Sequence, residues 1–125
     1  MKNKSKLNKI REQAKNKSCA TQTKPIGEWI FLSSKEVDVK DLEQAAGDGY
    51  SCQVWIEAKV FEIEFEEGCI DFEYGECELE EIQSAYFVSF KTDIYEKAVR
   101  VMKTIAQNTG GYFVADNDKW EPRIG

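Results

Sequence analysis

Glu62, Glu64, Asp71 and Glu73 alternate with Phe61, Ile63, Phe65, Ile70, Phe72 and Tyr74 along the stretch Phe61 to Tyr74, FEIEFEEGCIDFEY. Side chains two residues apart share one face of a β-strand, so these carboxylates gather on one surface and the apolar residues on the other. Carboxylates gathered in this way can hold a cation, exchange protons as a pair, or meet lysine and arginine side chains of a partner. The pair Glu67-Gly68 interrupts the alternation and marks a β-hairpin. With those two residues as the loop, Phe65 faces Ile70, Glu64 faces Asp71, Ile63 faces Phe72, Glu62 faces Glu73 and Phe61 faces Tyr74. Like charges opposed across a sheet cost up to roughly 1 kcal/mol per pair, so the pattern asks for a cationic counterpart.

The rest of the chain narrows the chemistry. It has no histidine, which removes the usual general base near neutral pH and every arrangement that activates a nucleophile through histidine. The glycines form neither a G-x-G-x-x-G fingerprint nor a phosphate loop. For metals, the sets to consider are Glu62, Glu64, Asp71 and Glu73, or Asp116, Asp118 and Glu121. Neither matches the calcium pattern of six to eight oxygens around a tight glycine turn, and no metal or other cofactor is expected. The four cysteines, Cys19, Cys52, Cys69 and Cys77, contain no C-x-x-C pair, so structural zinc is not expected; alternation puts Cys52 on an apolar strand face. Trp55 falls on the acidic side by period, beside Glu57 and Lys59, and an aromatic framed by charge is a common binding anchor.

The elements that position these residues follow in chain order. Pro25 and Gly27 open the folded part, and Trp29 to Leu32 reads as a short apolar strand. Asp38 offers a cap for a brief helix from about Val39 to Ala46, which Gly47-Asp48-Gly49 ends. From Tyr50 the chain reads as extended for some sixteen residues, but its apolar positions slip in phase between Val60 and Phe61. A β-bulge there, or a break into two strands, accounts for the slip. After the hairpin comes a charged connector, Gly75 to Gln83, and then a strand from Ala85 to Phe90. Asp93 with Glu96 has the form of a capping box for a helix striped by Ile94, Ala98, Val101, Met102 and Ile105. Gly110-Gly111 ends that helix, and Tyr112 to Ala115 is the last strand. The order β-α-β-β-β-α-β predicts an α+β domain: a mainly antiparallel sheet with two helices on one face, a ferredoxin-like split arrangement with one added strand. The acidic side is then the face without helices.

With 125 residues, 42% of them hydrophobic, the chain suffices for one core. Its net charge of −6 conceals a division. Residues 1 to 24 hold eight basic groups and one acid, or +7; the other 101 hold nine basic and 22 acidic groups, or −13. Residues 1–25 therefore read as a basic, flexible tail and 26–125 as one acidic domain. Lys2, Lys4, Lys6, Lys9, Arg11, Lys15 and Lys17 are the groups with which such a tail neutralises phosphates, without reading sequence. Glu57 to Glu81 holds 11 acids and one lysine, a field that speeds association with a basic protein and repels free nucleic acid. The absence of a secretion-type apolar stretch leads to the expectation of a soluble, cytoplasmic protein without membrane association.

The segment YEKAVRVMKTIAQNTGGYFVAD, Tyr95 to Asp116, resembles the closing helix and strand of small bacterial α+β immunity proteins of polymorphic-toxin and contact-dependent inhibition systems. The resemblance implies a dedicated acidic inhibitor of a basic toxin, often a nuclease. From the residues themselves, the expected binding face is Trp55, Glu57, Glu62, Glu64, Asp71 and Glu73, engaging a basic nucleic-acid-processing protein by charge mimicry and without catalysis. The alternative is a nucleic-acid-associated accessory protein that grips phosphates through its basic N-terminal residues.

Overall fold

A computed structural model describes residues 26–125. The first helix forms where its cap is written: Asp38 accepts from the Asp41 amide while Asp41 accepts from the Asp38 amide, a complete capping box, and α1 runs Val39–Ala46 with Val39, Leu42, Ala45 and Ala46 buried. Gly47 closes it with a positive φ. The second long helix, α2 (Tyr95–Thr109), buries Ala98, Val101, Met102, Ile105 and Ala106, and ends at Gly110 in the left-handed region. Its start differs from expectation. A 3-10 turn at Thr92–Ile94 precedes it, and no side chain caps it. Asp93 is exposed there while Ile94 is buried, so apolar burial fixes the helix entry where a capping box was expected.

Seven strands form a single sheet: β1 (Glu28–Ser33), β2 (Ser51–Trp55), β3 (Val60–Phe65), β4 (Gly68–Gly75), β5 (Ser84–Phe90), β6 (Tyr112–Ala115) and β7 (Arg123–Ile124). Their spatial order is β2-β3-β4-β5-β1-β6-β7, and every neighbouring pair is antiparallel. The fold is α+β, with an antiparallel sheet and two helices, as expected. β1 lies between β5 and β6 and runs against both, so β5 and β6, joined through α2, are parallel to each other and separated by β1. Of the two readings of the sixteen-residue run, the break into two strands holds, but it falls earlier than the phase slip: β2 and β3 are joined by a four-residue turn, Ile56 to Lys59, with Lys59 at φ 56°. The turn supplies the phase change that puts Cys52 and Val54 on the same side as Phe61 and Ile63.

Both helices cover one face of the sheet. Trp29, Phe31, Phe61, Ile63, Ile70, Phe72, Tyr86, Val88 and Phe113 point toward them and make the main core with the helix residues. Phe61 and Phe72, directly opposed in β3 and β4, stack with centroids 5.2 Å apart. Asn108 ties the helices together by donating from Nδ2 to the Ala45 carbonyl at 2.8 Å. No helix among the described residues is long and apolar enough to cross a membrane.

Candidate functional site on the outer face

The face of the sheet opposite the helices is set by strand register. One row of opposed residues reads Gln53, Glu62, Asp71, Ser89 and Glu28 across β2, β3, β4, β5 and β1. A second, parallel row reads Trp55, Val60, Glu73, Phe87, Ile30, Val114 and Arg123. A third, shorter row holds Ser51, Glu64 and Cys69. The structure thus brings five of the six expected partner-binding residues, Trp55, Glu62, Glu64, Asp71 and Glu73, onto one face. Glu57 is not among them: it is exposed in the turn between β2 and β3, at the rim. The basic residues Lys2, Lys4, Lys6, Lys9, Arg11, Lys15 and Lys17 lie outside the described residues.

The hairpin register is corrected by two residues. Glu66 and Glu67 form the turn, and Phe65 pairs with Gly68. Glu62 therefore faces Asp71, not Glu73, and Glu64 faces Cys69, not Asp71. A shift of two preserves the side to which each residue points, which is why the faces were legible while the partners were not. Gly68 does not supply a left-handed turn residue. It stands 4.0 Å, measured from the position of an added Cβ, from Ile94 Cγ2, where the entry of α2 closes over the hairpin end. At that tip Lys97 donates to Glu67 at 2.9 Å, which holds the Glu67 carboxyl below its ordinary range.

Burial and neighbouring charge act together on the groups of this face. Partial burial, then the facing Glu62, raises the Asp71 carboxyl above its usual value. Burial, then Asp71, pushes the Cys69 thiol up to about 11, and Cys69 Sγ sits 3.9 Å from both Asp71 carboxylate oxygens. Gln53 donates its side-chain amide to Glu64. Glu62, Cys69 and Asp71 have ligand atoms within 4.8 Å of one another, a grouping different from the all-carboxylate set that the sequence offered for consideration. The same carboxylates favour the protonated thiol over the thiolate that a metal needs. Cys69 was missed as a member of the site, although its position two residues before Asp71 put it on that face. Cys52, Cys69 and Cys77 are free thiols. The other acidic set is no cluster: Asp116 is buried, while Asp118 and Glu121 are exposed. Asn117 organises that loop instead, with Oδ1 accepting from the amides of Lys119 and Glu121.

The acidic region covers only half of the outer face. On the other half Ile30, Leu32, Ala85 and Val114 form a second buried cluster with Ile82 from the connector, and Cys77, Phe87, Tyr112 and Trp120 pack at its margin. At the open corner Trp55 is 44% exposed and its neighbour Ile56 is 58% exposed. Ile56 also lines a groove of about 420 Å³ with Val37, Val39, Lys59, Tyr74 and Tyr86, on the helix side of the turn. Glu36 and Asp38 border this groove too, but the Asp38 carboxylate is engaged in capping α1, and the carboxylates of the outer face do not line it. Comparison of the chain with family models, with curated proteins and with solved structures finds no match.

Proposed function

We propose that this chain is a non-enzymatic inhibitor of the immunity type, which binds a basic, nucleic-acid-processing protein through the acidic half of its outer face. The observation that carries this reading is the sign purity of the surface. Strands β1 to β5 contain five acidic residues, Glu28, Glu62, Glu64, Asp71 and Glu73, all on the outer side, and no lysine or arginine. Folding does not require that arrangement, and facing Glu62 with Asp71 costs stability. A cationic partner relieves the repulsion on binding.

The geometry suits such a partner. Carboxylates two apart on a strand lie about 6.7 Å from each other, and opposed ones about 5 Å, a dense array that lysine and arginine side chains recognise in place of phosphates. Trp55 at the corner supplies an apolar anchor, and Glu57 adds charge at the rim. Association then proceeds by electrostatic steering and slows as salt rises.

The test is affinity capture from the native source with wild type beside a Glu62→Lys/Glu64→Lys variant. The expected result is a basic protein held by wild type, lost by the variant and released by added salt, whose activity on nucleic acid the wild type then inhibits. Capture of the same protein by both forms sinks the reading. The charge of residues 1–24 favours a second reading, an accessory protein that contacts phosphates through Lys2 to Lys17. That reading requires nucleic-acid affinity that falls steeply with salt and survives the double substitution.

A further inference from the structure

The described chain begins beside the acidic half of the outer face and on its central row. Gly27 accepts from the Phe90 amide at 2.9 Å, Glu28 stands opposite Ser89, Ser89 opposite Asp71, and Asp71 opposite Glu62. Three strand spacings of about 4.8 Å separate Glu28 from Glu62, or roughly 14 Å. Residues 1–24, joined to this point, carry eight basic groups and one acid. Half of that length spans roughly 40 Å when extended, so reach does not limit where it goes. Tethering sets its effective concentration at the face on the order of millimolar.

The other surfaces fit it less well. α2 bears Lys97, Arg100 and Lys103 against one acid, Glu96, and so repels a basic segment. The remaining half of the outer face is already closed over Ile30, Leu32 and Val114. The exposed connector glutamates Glu76, Glu78, Glu80 and Glu81 lead to the far end of β1, where the Gln83 amide donates to the Ser33 carbonyl, whereas the row through Asp71 and Glu62 starts at the attachment point, Glu28.

We propose that residues 1–24 dock within the same molecule across the acidic half of the outer face, their lysines and arginine set against Glu62, Glu64 and Asp71. This docking stands independently of the proposed inhibitor function. If both hold, the segment is a built-in competitor that a basic partner displaces, and it screens the crowded carboxylates until then.

The experiment is carbodiimide coupling on the full chain, which joins lysine amines to carboxylates already in contact, read by peptide mass spectrometry. An equal mixture of light and heavy-isotope chains separates links within a molecule from links between molecules. The expected links run from Lys2 to Lys17 onto Glu62, Glu64 or Asp71, within one isotope, and disappear at about 0.5 M salt, where the screening length is only a few ångströms. Links mainly to Asp41, Glu43 or Glu96, links between isotopes, or no links overturn the proposal. A second readout does not depend on coupling. In the full-length Glu62→Gln/Glu64→Gln/Asp71→Asn variant, the backbone amide resonances of residues 1–24 move to their positions in high-salt wild type; unmoved resonances overturn the docking. Neither measurement uses a partner, so loss of the inhibitor reading leaves this result intact, and the reverse.

Discussion

The two halves of the outer face share one sheet and differ in what lies over them. Over β5, β1 and β6, residues Ile30, Leu32, Ala85 and Val114 are almost wholly buried under the connector residue Ile82, with Trp120 at the margin. Over β2, β3 and β4 the same side carries Gln53, Glu62, Glu64, Asp71 and Glu73, and Trp55 stands half-exposed at the corner. One half is a second core that adds stability. The other gives some stability up, since it sets acid against acid. A surface with an energetic cost and no structural role is where a binding function is most economically sought. Among the described residues, only one half of this face is closed.

The sharpest way to break the comparison is to substitute in each half. Ile30→Ala removes a side chain with no exposed surface, and should lower unfolding free energy by about 2–5 kcal/mol in urea titration. Gly75→Ala, which sets a Cβ against the Phe87 ring, should cost about 1–3 kcal/mol by overpacking. Glu62→Gln, in the open half, should change stability by no more than about 1 kcal/mol and in the favourable direction. A large loss with Glu62→Gln would make the acidic half structural and remove the contrast.

How much of this was legible in the sequence divides along physical lines. Parity was legible, because inward and outward positions follow from a period of two, and the alternation from Phe61 to Tyr74 states it plainly. The α1 capping box and the glycine ends of both helices were legible because their chemistry is local. Hairpin register was not. Registers that differ by two residues put the same side chains on each face, so the alternation does not choose between them. The turn at Ile56 to Lys59 was hidden because it contains no glycine, proline, asparagine or aspartate, and only the phase slip after Val60 betrayed it. The second core had one sign: Trp29 to Leu32 is apolar at consecutive positions, as a strand buried on both sides must be. Its cover came from the segment read as a charged connector and from the residues that follow Ala115, where single residues, Ile82 and Trp120, do the packing.

A smaller effect tests the crowding of charge directly. With the Cys69 thiol pushed from 9.0 to about 11 by burial and by Asp71, its thiolate population near neutral pH falls about a hundredfold. The greater intrinsic nucleophilicity of a more basic thiolate recovers part of that. Alkylation of Cys69 by iodoacetamide should therefore run roughly tenfold slower than in the urea-unfolded chain, before any steric protection. Asp71→Asn should restore part of the rate. An unchanged rate in that variant would show that burial alone protects the thiol.

The smallest effect concerns the Glu62–Asp71 pair, and it is the most specific. The Asp71 carboxyl is raised in the folded chain above its unfolded value of 3.8, first by partial burial and then by Glu62. A carboxyl raised on folding favours the native state most when protonated. Its contribution is therefore fully present below pH 3.8 and is lost as pH rises through the folded value. Other groups run the opposite way: Glu67 is lowered by Lys97, so its contribution is present above its unfolded value of 4.5 and is lost as pH falls. A stability curve of the wild type alone would mix the two signs. The difference between wild type and Asp71→Asn isolates the titration of Asp71, and the same difference measured in a Glu62→Gln background leaves only the part due to burial. The variant should gain on the wild type between about pH 3 and pH 7, reaching at most about 1 kcal/mol, because the site is largely open to solvent screening. Added salt should shrink that gain at neutral pH and leave the acid limb unchanged. The same slope in the Glu62→Gln background would mean that Glu62 and Asp71 do not feel each other across the strands, and the open half would then be a solvated surface rather than one held ready for cations.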